Sequence, residues 1–269
     1  MTGVSIIGVG QVPVAEHWDT SLRVLGAQAA HAALADAGLS SVDAIYVGNG
    51  YGSSVSEQSQ TATLIADYAG LSGVEAYTVE AADASGGAAL RAGVMSVASG
   101  LVRTVLVVGA EKMTDAVASA RVRRRSVSLD ADYEVAHGAT LPAMAGLLMR
   151  RYMHEFNVEV SAFEGFSFNA HANGSRNPNA MFRNKLRTGA FDKAPMVAAP
   201  VNLFDGAPDG DGAAAVVLTA SEKAGDMVPH PVEIAASAAA TDTLALQDRA
   251  DMLHFGAVAR ATQSAVHQA

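Results

Sequence analysis

Cysteine is absent from all 269 residues of the sequence. Its absence excludes disulfide bonds, iron–sulfur clusters and zinc sites that use thiolate ligands. It also excludes a thiol nucleophile from the chemistry of this chain. The eight histidines show neither an HExxH motif nor close pairing, so the sequence predicts no metal site.

Basic residues are scarce as well. Lys and Arg total 18 against 27 Asp and Glu, which gives a formal net charge of −9. Nucleic-acid-binding proteins usually carry a basic surface, so we expect no nucleic-acid partner, and the acidity also argues against an anionic membrane. Half of the residues are hydrophobic and 17% are charged, which is typical of a globular protein.

Long apolar runs are absent too. The most apolar stretch, 88–110, is interrupted by Arg91 and Arg103, so no transmembrane helix is predicted. The first ten residues enter a strand-like segment without the basic region and long apolar stretch of a signal peptide. The sequence therefore favours a cytoplasmic protein.

The sequence does contain an alternation of strand-like and helix-like segments. The predicted strands are 4–9, 43–48, 76–79, 104–109, 213–218 and 232–236. The predicted helices are 21–37, 57–69, 83–99, Leu141–Phe156, 160–173 and 248–266. This alternation predicts βαβ units and a parallel sheet covered by helices. No comparable strand is expected between Thr114 and about Pro200, which we interpret as a helical insertion.

Two local patterns leave their interpretation open. Gly8-Val9-Gly10 follows a strand, but Pro13 stands where a dinucleotide-binding fingerprint needs its third glycine, so a tight turn is favoured. The cluster Arg121, Arg123, Arg124 and Arg125 is either a solvated face or a set of phosphate ligands, because guanidinium groups match phosphate oxygens.

The segment VEAADASGGAA (79–89) is the most informative part of the chain. It is predicted to be a strand that ends in a turn of small residues and opens a helix. A helix N-terminus presents unpaired N–H groups and the positive end of the helix dipole, which suits an anion or an acyl oxygen. The alternative is that Asp83 only caps the helix and that Ala and Gly permit close packing.

This segment resembles the nucleophile segment VEAACASGGAA of the thiolase superfamily, in particular the sterol-carrier-protein-type and archaeal-type thiolases. Further stretches agree with the family in the same order. They are ADAGL (35–39), IYVGN (45–49), VVGAEKM (107–113), GATLP (138–142), RYM (151–153), HANGSRNP (171–178) and DGAAAVVL (211–218). The similarity covers nearly the whole chain.

The resemblance implies an α/β thiolase-like fold with a mixed, mostly parallel five-stranded sheet between helices. It divides the chain into the first part of the N-terminal domain (1–115), a helical loop domain that binds coenzyme A (116–199), the last strand of the N-terminal domain (200–230) and the beginning of the C-terminal domain (231–269). Most of the C-terminal half, with its histidine motifs, is then expected to be missing. In this frame Arg121, Arg123, Arg124, Arg125 and His171 are the candidate contacts to coenzyme A.

The resemblance also implies chemistry on acyl-CoA thioesters, with coenzyme A arriving as substrate. Asp83 occupies the position of the family's nucleophilic cysteine, where we expect a buried carboxylate at a helix N-terminus. A carboxylate is a poor acyl acceptor because the product is a reactive mixed anhydride. We therefore expect a thiolase-like acyltransferase component that is inactive alone. The alternatives are a retro-aldolase acting on β-hydroxyacyl-CoA and a non-catalytic acyl-CoA-binding subunit.

The expected assembly is a homodimer, because thiolases dimerise through the N-terminal sheet region. Apolar side chains near the C-terminus, including Met252, Leu253, Phe255 and Val258, are expected to lack their usual cover. A second chain that supplies the C-terminal thiolase motifs, or a small acyl-CoA-binding protein, is a further expected partner.

Overall fold

The computed structural model describes residues 3–269, which fall into two compact units. The sheet unit contains the described residues up to Asp115, together with Gly210–Ala240 and Ala257–Ala269. The insertion unit contains Ala116–Asp209 and Thr241–Gly256.

The described residues form eight strands and nine α-helices. The strands are β1 (Val4–Gln11), β2 (Ala44–Gly48), β3 (Glu75–Val79), β4 (Thr104–Glu111), β5 (Met196–Ala198), β6 (Val201–Asn202), β7 (Gly212–Ala220) and β8 (Val232–Glu233). The helices are α1 (Leu22–Asp36), α2 (Gly52–Val55), α3 (Thr61–Tyr68), α4 (Ser85–Ser99), α5 (Ala118–Arg125), α6 (Leu141–Phe156), α7 (Glu164–Gly174), α8 (Ser221–Met227) and α9 (Gly256–Gln268).

The sheet unit is built on a mixed sheet with the strand order β3-β2-β4-β7-β1-β8. Six strands take part where five were expected, because the short β8 pairs with Ser5 and Ile6 of β1. The expectation of a mostly parallel sheet is also wrong. β2 runs parallel to β3 and β4, but the pairs β4–β7, β7–β1 and β1–β8 are antiparallel.

Helices cover both faces of this sheet because its inner strands alternate apolar side chains between the faces. Ile45 and Val47 of β2 belong to one fully buried cluster, together with the alanine-rich face of α1 and with α3. Ala44 and Tyr46 belong to the cluster on the other side, together with Ala89 and Val97 of α4. Small side chains on α1 and α4 allow both helices to pack closely against the strands.

Several element boundaries differ from the predicted ones. The helix expected over 57–69 begins only at Thr61, because Glu57 and Gln60 adopt left-handed backbone angles with φ of 53° and 54°. The helix expected over 83–99 begins at Ser85 and is preceded by a 3₁₀ turn over Ala82–Ala84. The C-terminal helix starts at Gly256 and not at residue 248, since Leu246–Asp248 is a 3₁₀ turn.

The insertion unit is mainly helical, with α6 at the predicted bounds. The Thr140 hydroxyl accepts a hydrogen bond from the N–H of Ala143 and caps this helix, and Pro142 lies in its first turn. The short hairpin of β5 and β6 was not predicted. The arginine cluster lies on α5, a helix that the sequence pattern did not indicate because Val122 is its one large apolar residue.

No helix among residues 3–269 combines the length and the hydropathy that crossing a membrane requires.

Candidate functional site

The carboxyl ends of the parallel strands β2, β3 and β4 meet at one edge of the sheet. In open α/β sheets this is the edge where ligands bind. The chain places three groups there, which we call the Asp83 edge. They are the loop Asn49–Tyr51 after β2, the turn Glu80–Ser85 after β3, and Glu111, the last residue of β4.

Asp83 lies in a tightly held turn. Ala82 before it has a left-handed φ of 47°, a conformation that non-glycine residues adopt rarely and that is often found at functional sites. The buried hydroxyl of Ser85 holds the turn, because it accepts from the N–H of Ala81 at 2.9 Å and donates to the carbonyl of Ala82 at 2.6 Å. The Glu80 carboxylate accepts from the N–H of Ala82 at 2.6 Å.

Two glycines allow the end of β2 to run directly beside this turn. A Cβ on Gly48 would lie 2.6 Å from the carbonyl oxygen of Ser85, and a Cβ on Gly50 would lie 2.6 Å from that of Ala82. Any larger residue would therefore collide with backbone. The strand-to-loop junction of β2 thus fixes the position of the turn that carries Asp83.

The Asp83 side chain is exposed, and its Oδ1 accepts a hydrogen bond from the Tyr51 hydroxyl at 2.9 Å. The expectation that Asp83 would be buried is wrong for this chain, because no described element covers the turn. The alternative that Asp83 is simply the helix cap does not hold either. The cap residue of α4 is Ala84, which offers no side-chain hydrogen bond.

Tyr51 and Glu111 are the parts of this edge that sequence reasoning missed. Tyr51 is 4% exposed and packs with Val55 and Met113 in a small buried cluster. The Glu111 carboxylate accepts three hydrogen bonds from the neighbouring loop: from Asn49 Nδ2 at 2.9 Å, from Gly50 N at 2.9 Å and from Tyr51 N at 3.3 Å. The only available signal was that Glu111 ends the strand of the VVGAEKM motif.

The pKa of Glu111 lies above its ordinary value. Burial raises it, the hydrogen bonds from Gly50, Tyr51 and Asn49 oppose the rise, and the nearby charge of Asp83 adds to it. Two of the three carboxyl groups at the Asp83 edge, those of Asp83 and Glu111, thus lie in different environments, one exposed and one largely buried. Such a difference in environment is how proteins separate acid from base roles.

A second polar cluster begins at Lys112, the residue after β4, and is structural. Asp211 is completely buried, and its carboxylate accepts from Lys112 Nζ at 2.8 Å, Thr114 Oγ1 at 2.6 Å and the N–H groups of Met113, Thr114 and His17 at 2.7, 2.9 and 3.0 Å. Burial raises the pKa of Asp211, but the bonds from Lys112, Thr114 and His17 outweigh it and lower the pKa to about 2. We call this cluster the Asp211 latch.

The predicted coenzyme A contacts lie in the insertion unit. Arg121 and Arg125 converge on one carboxylate, with Asp209 at 3.3 Å from Arg121 Nε and 2.8 Å from Arg125 Nη1. Arg123 is exposed on the same helix. The basic last turn of α5 also complements the helix dipole, which is a structural reason for three of the four arginines.

His171 is partly buried on α7. Its Nδ1 lies 3.0 Å from the carbonyl oxygen of Asn184, and its ring meets Phe204 edge-on at 5.6 Å. These contacts fix the orientation of the ring. Its role toward coenzyme A stays a prediction, as does that of the arginine cluster.

Comparison with known proteins identifies the family of this chain. Residues 4–197 match the family described as "Thiolase, N-terminal domain". The chain is 38% identical over 271 residues to an acetyl-CoA acetyltransferase of Methanothermobacter thermautotrophicus, across all of this chain and 70% of that protein. It is 27% identical over 243 residues to the 17-hydroxy-3-oxo-4-pregnene-20-carboxyl-CoA lyase of Mycobacterium tuberculosis, across 87% of this chain and 62% of that one.

Among solved structures, one described as "Ltp2-ChsH2(DUF35) aldolase" superimposes with a TM-score of 0.79 at 21% identity. The superposition covers 99% of this chain and 69% of that one, and it establishes a common fold. The family match spans well over half of the sequence, and the alignment with the acetyltransferase covers all of this chain. The chain therefore belongs to the thiolase family.

Proposed function

We propose that this chain is a thiolase-type component that acts on acyl-CoA thioesters and that Asp83 transfers protons without accepting the acyl group. The observation that carries the proposal is the exposed Asp83 carboxylate, which accepts a hydrogen bond from Tyr51. The sequence resemblance aligns Asp83 with the family's nucleophilic cysteine. The 269 residues contain no cysteine to replace it. A carboxylate that attacked a thioester would give a mixed anhydride, so a proton-transfer role fits the group better.

Cleavage of a β-hydroxyacyl-CoA is the second candidate, favoured by the same carboxylate. Asp83 would take the proton of the β-hydroxyl as the carbonyl forms and the Cα–Cβ bond breaks. The electron pair of that bond becomes the thioester enolate, and the proton then returns from Asp83 to Cα. No electron is gained or lost and no further reactant is needed. Relatives named as a lyase and an aldolase support this candidate.

Residues 116–199 are proposed to bind the coenzyme A moiety of the substrate. Within the arginine cluster, Arg123 is the stronger candidate for a phosphate contact because it is exposed. Arg121 and Arg125 already contact Asp209, so their charge is partly neutralised. The division of labour among the four arginines and His171 is part of this proposal.

The protein is further proposed to associate through the edge strand β3. Tyr77 on this strand is 57% exposed, and Met95 and Leu101 beside it are 54% and 87% exposed. A second copy of the chain is the simplest occupant of this apolar edge, and a different chain that completes the catalytic groups is the other candidate. The solved structure of a complex named with a DUF35 component supports the second possibility.

The decisive experiment measures proton transfer, since this step does not require a complete reaction cycle. The chain is incubated with acetyl-CoA in D₂O, and deuterium in the acetyl group is followed by mass spectrometry. We expect exchange that falls at least about tenfold in Asp83→Asn. Asp67→Asn, an exposed aspartate on α3, serves as the matched control and should leave the rate unchanged. Coenzyme A binding without any exchange in the wild-type chain would contradict the catalytic proposal and favour the binding subunit.

A second experiment addresses the covalent step. The wild-type chain should acquire no stable acetyl adduct from acetyl-CoA in intact-mass measurements. Asp83→Cys should acquire a single one and should react readily with iodoacetamide, because a helix N-terminus favours the thiolate. Inertness of the folded variant to both reagents would show that Asp83 does not occupy an acyl site.

A further inference from the structure

Tyr51 connects two of the carboxylates at the Asp83 edge, those of Asp83 and Glu111. Its hydroxyl donates to Asp83 Oδ1 at 2.9 Å, while its own backbone N–H donates to Glu111 at 3.3 Å. The ring is buried against Val55 and Met113, which leaves it little freedom to turn. One residue therefore joins the exposed carboxylate to the buried one.

Glu111 is anchored on the opposite side by the loop that carries this tyrosine. It accepts from the side chain of Asn49 and from the backbone of Gly50 and Tyr51. Asn49 also donates to the carbonyl of Ala110 at 2.8 Å and accepts from the N–H of Gly52 at 3.0 Å, so it is itself fixed. The carboxylate of Glu111 thus closes the loop onto the end of β4.

Stability alone does not explain this arrangement. Burial and the charge of Asp83 both raise the pKa of Glu111, so its ionised form is disfavoured in the folded protein. A largely buried carboxyl group with a raised pKa, beside a second carboxylate and a strained turn, is typical of a functional site. The hydrogen bonds from Gly50 and Tyr51 to the Glu111 carboxylate hold Tyr51 where its hydroxyl contacts Asp83.

We propose that Tyr51 and Glu111 are positioning residues for Asp83: Glu111 clamps the Asn49–Tyr51 loop, and the Tyr51 hydroxyl orients the Asp83 carboxylate. This inference rests on the proposed function, because it takes the Asp83 carboxylate as the reacting group. It makes Tyr51 act by a hydrogen bond, and it gives Glu111 a positioning effect through Tyr51 in addition to its electrostatic interaction with Asp83.

The test uses the thiol introduced by Asp83→Cys as a reporter, and it requires no acyl-CoA chemistry. The rate of alkylation by iodoacetamide is measured from pH 5 to pH 10 in the folded variant. Adding Tyr51→Phe removes the donor to the thiolate, so the pH midpoint of alkylation should rise and the rate at pH 7 should fall about threefold to tenfold. Tyr46→Phe is the matched control, since its hydroxyl bonds Glu75 and Ser96 away from this edge, and it should change nothing.

Glu111 is tested by two substitutions that separate the effect of its charge from the effect of its side-chain length. Glu111→Gln removes the charge, and Glu111→Asp keeps the charge but shortens the side chain. Both should slow alkylation in the Asp83→Cys background, and neither should slow it further once Tyr51→Phe is present. Faster alkylation in Glu111→Gln would mean that Glu111 acts through its charge, and additive effects with Tyr51→Phe would mean that it acts independently. Either result overturns the clamp, and the Asp variant decides the question if the Gln variant does not fold.

The same variants without the cysteine separate this inference from the proposed function. Deuterium exchange into acetyl-CoA should fall in Tyr51→Phe at saturating substrate, with little change in KM. If the thiol responds as expected but no variant or wild-type chain exchanges deuterium, the positioning role stands and the proposed function fails. If the wild type exchanges deuterium and neither readout responds to Tyr51→Phe, the proposed function stands and the positioning role fails.

Discussion

Removing the charge of Asp211 should destabilise the sheet unit more than any exposed substitution in it. This carboxylate is completely buried and accepts five hydrogen bonds from Lys112, Met113, Thr114 and His17. In Asp211→Asn one oxygen becomes an NH₂ group. Depending on which oxygen is replaced, that group faces either two backbone donors or Lys112, Thr114 Oγ1 and the N–H of His17. A lysine 2% exposed would then lose its buried partner.

Two estimates of the stability that Asp211→Asn would lose agree in order of magnitude. Breaking a buried ion pair by removing one partner costs about 3–5 kcal/mol. The lowering of the Asp211 pKa from 3.8 to about 2 alone corresponds to roughly 2 kcal/mol of pH-dependent stability. Because the pKa is lower in the folded state, this contribution is complete above about pH 4 and is lost as the pH falls through about 2.

The assay is urea unfolding followed by far-ultraviolet circular dichroism and by the fluorescence of Trp18, the single tryptophan, which follows His17 in the chain. Asp211→Asn should lower the free energy of unfolding by about 3–5 kcal/mol at pH 7 and at pH 5, and the gap should narrow below pH 4. Asp115→Asn is the control: its side chain also contacts Lys112, at 2.6 Å, but is 57% exposed, so it should cost less than about 1 kcal/mol. Equal losses in the free energy of unfolding of the two variants would contradict the stabilising role of the Asp211 latch.

Three further outcomes are expected. Gly48→Ala should cost about 1–3 kcal/mol of stability, because its Cβ would lie 2.6 Å from backbone of the Asp83 turn. Its sheet partner Gly109, where a Cβ meets nothing within 4 Å, should tolerate alanine; equal losses would argue against the close approach. Replacing the four arginines of the cluster by alanine should weaken coenzyme A binding, most strongly at low salt, with Arg123→Ala giving a larger part than Arg121→Ala. An unchanged affinity for coenzyme A in calorimetry would show that the cluster is only a solvated face. Light scattering at micromolar concentration should find a dimer or larger assembly, and a monomer would contradict association through β3.

The elements that the sequence predicted well are those whose signal is local. α6 lies at its predicted bounds because Thr140 caps it and Pro142 occupies its first turn. The strands β2 and β4 were found from their runs of β-branched residues between turns. The thiolase assignment rested on motif order across the chain, and the family match confirms it.

The misses depend on contacts between distant parts of the chain. A strand was predicted at 232–236, but β8 covers only Val232–Glu233, and its place as a sixth strand depends on pairing with β1, which lies more than 200 residues earlier. Thr61 begins α3 because Thr78 of the neighbouring strand region contacts both its hydroxyl and the N–H of Ala62. No propensity in residues 57–60 carries that information, so the predicted helix started too early.

The candidate site divides in the same way. Asp83 was found because it interrupts a recognisable motif at one position. Tyr51 and Glu111 lie 32 residues before and 28 residues after it, and only the register of β2 against β4 brings them together. Sequence patterns also gave no measure of exposure, which is why Asp83 was expected to be buried.

The acidic residues Glu111 and Asp211 show how one fold uses buried carboxylates for different purposes. The pKa of Asp211 is lowered because it receives five hydrogen bonds, one of them from a lysine, so its charge stabilises the folded state at neutral pH. The pKa of Glu111 is raised, so the folded state binds its proton more tightly than the unfolded chain does, and stability falls as the pH rises through its titration. Lys112 is adjacent to Glu111 in sequence, yet its ammonium group is engaged by Asp211 and Asp115. In the part of the chain that the structure describes, the hydrogen bonds to the Glu111 carboxylate come from the loop that carries Tyr51. The burial of this carboxylate is therefore linked to the orientation of Asp83.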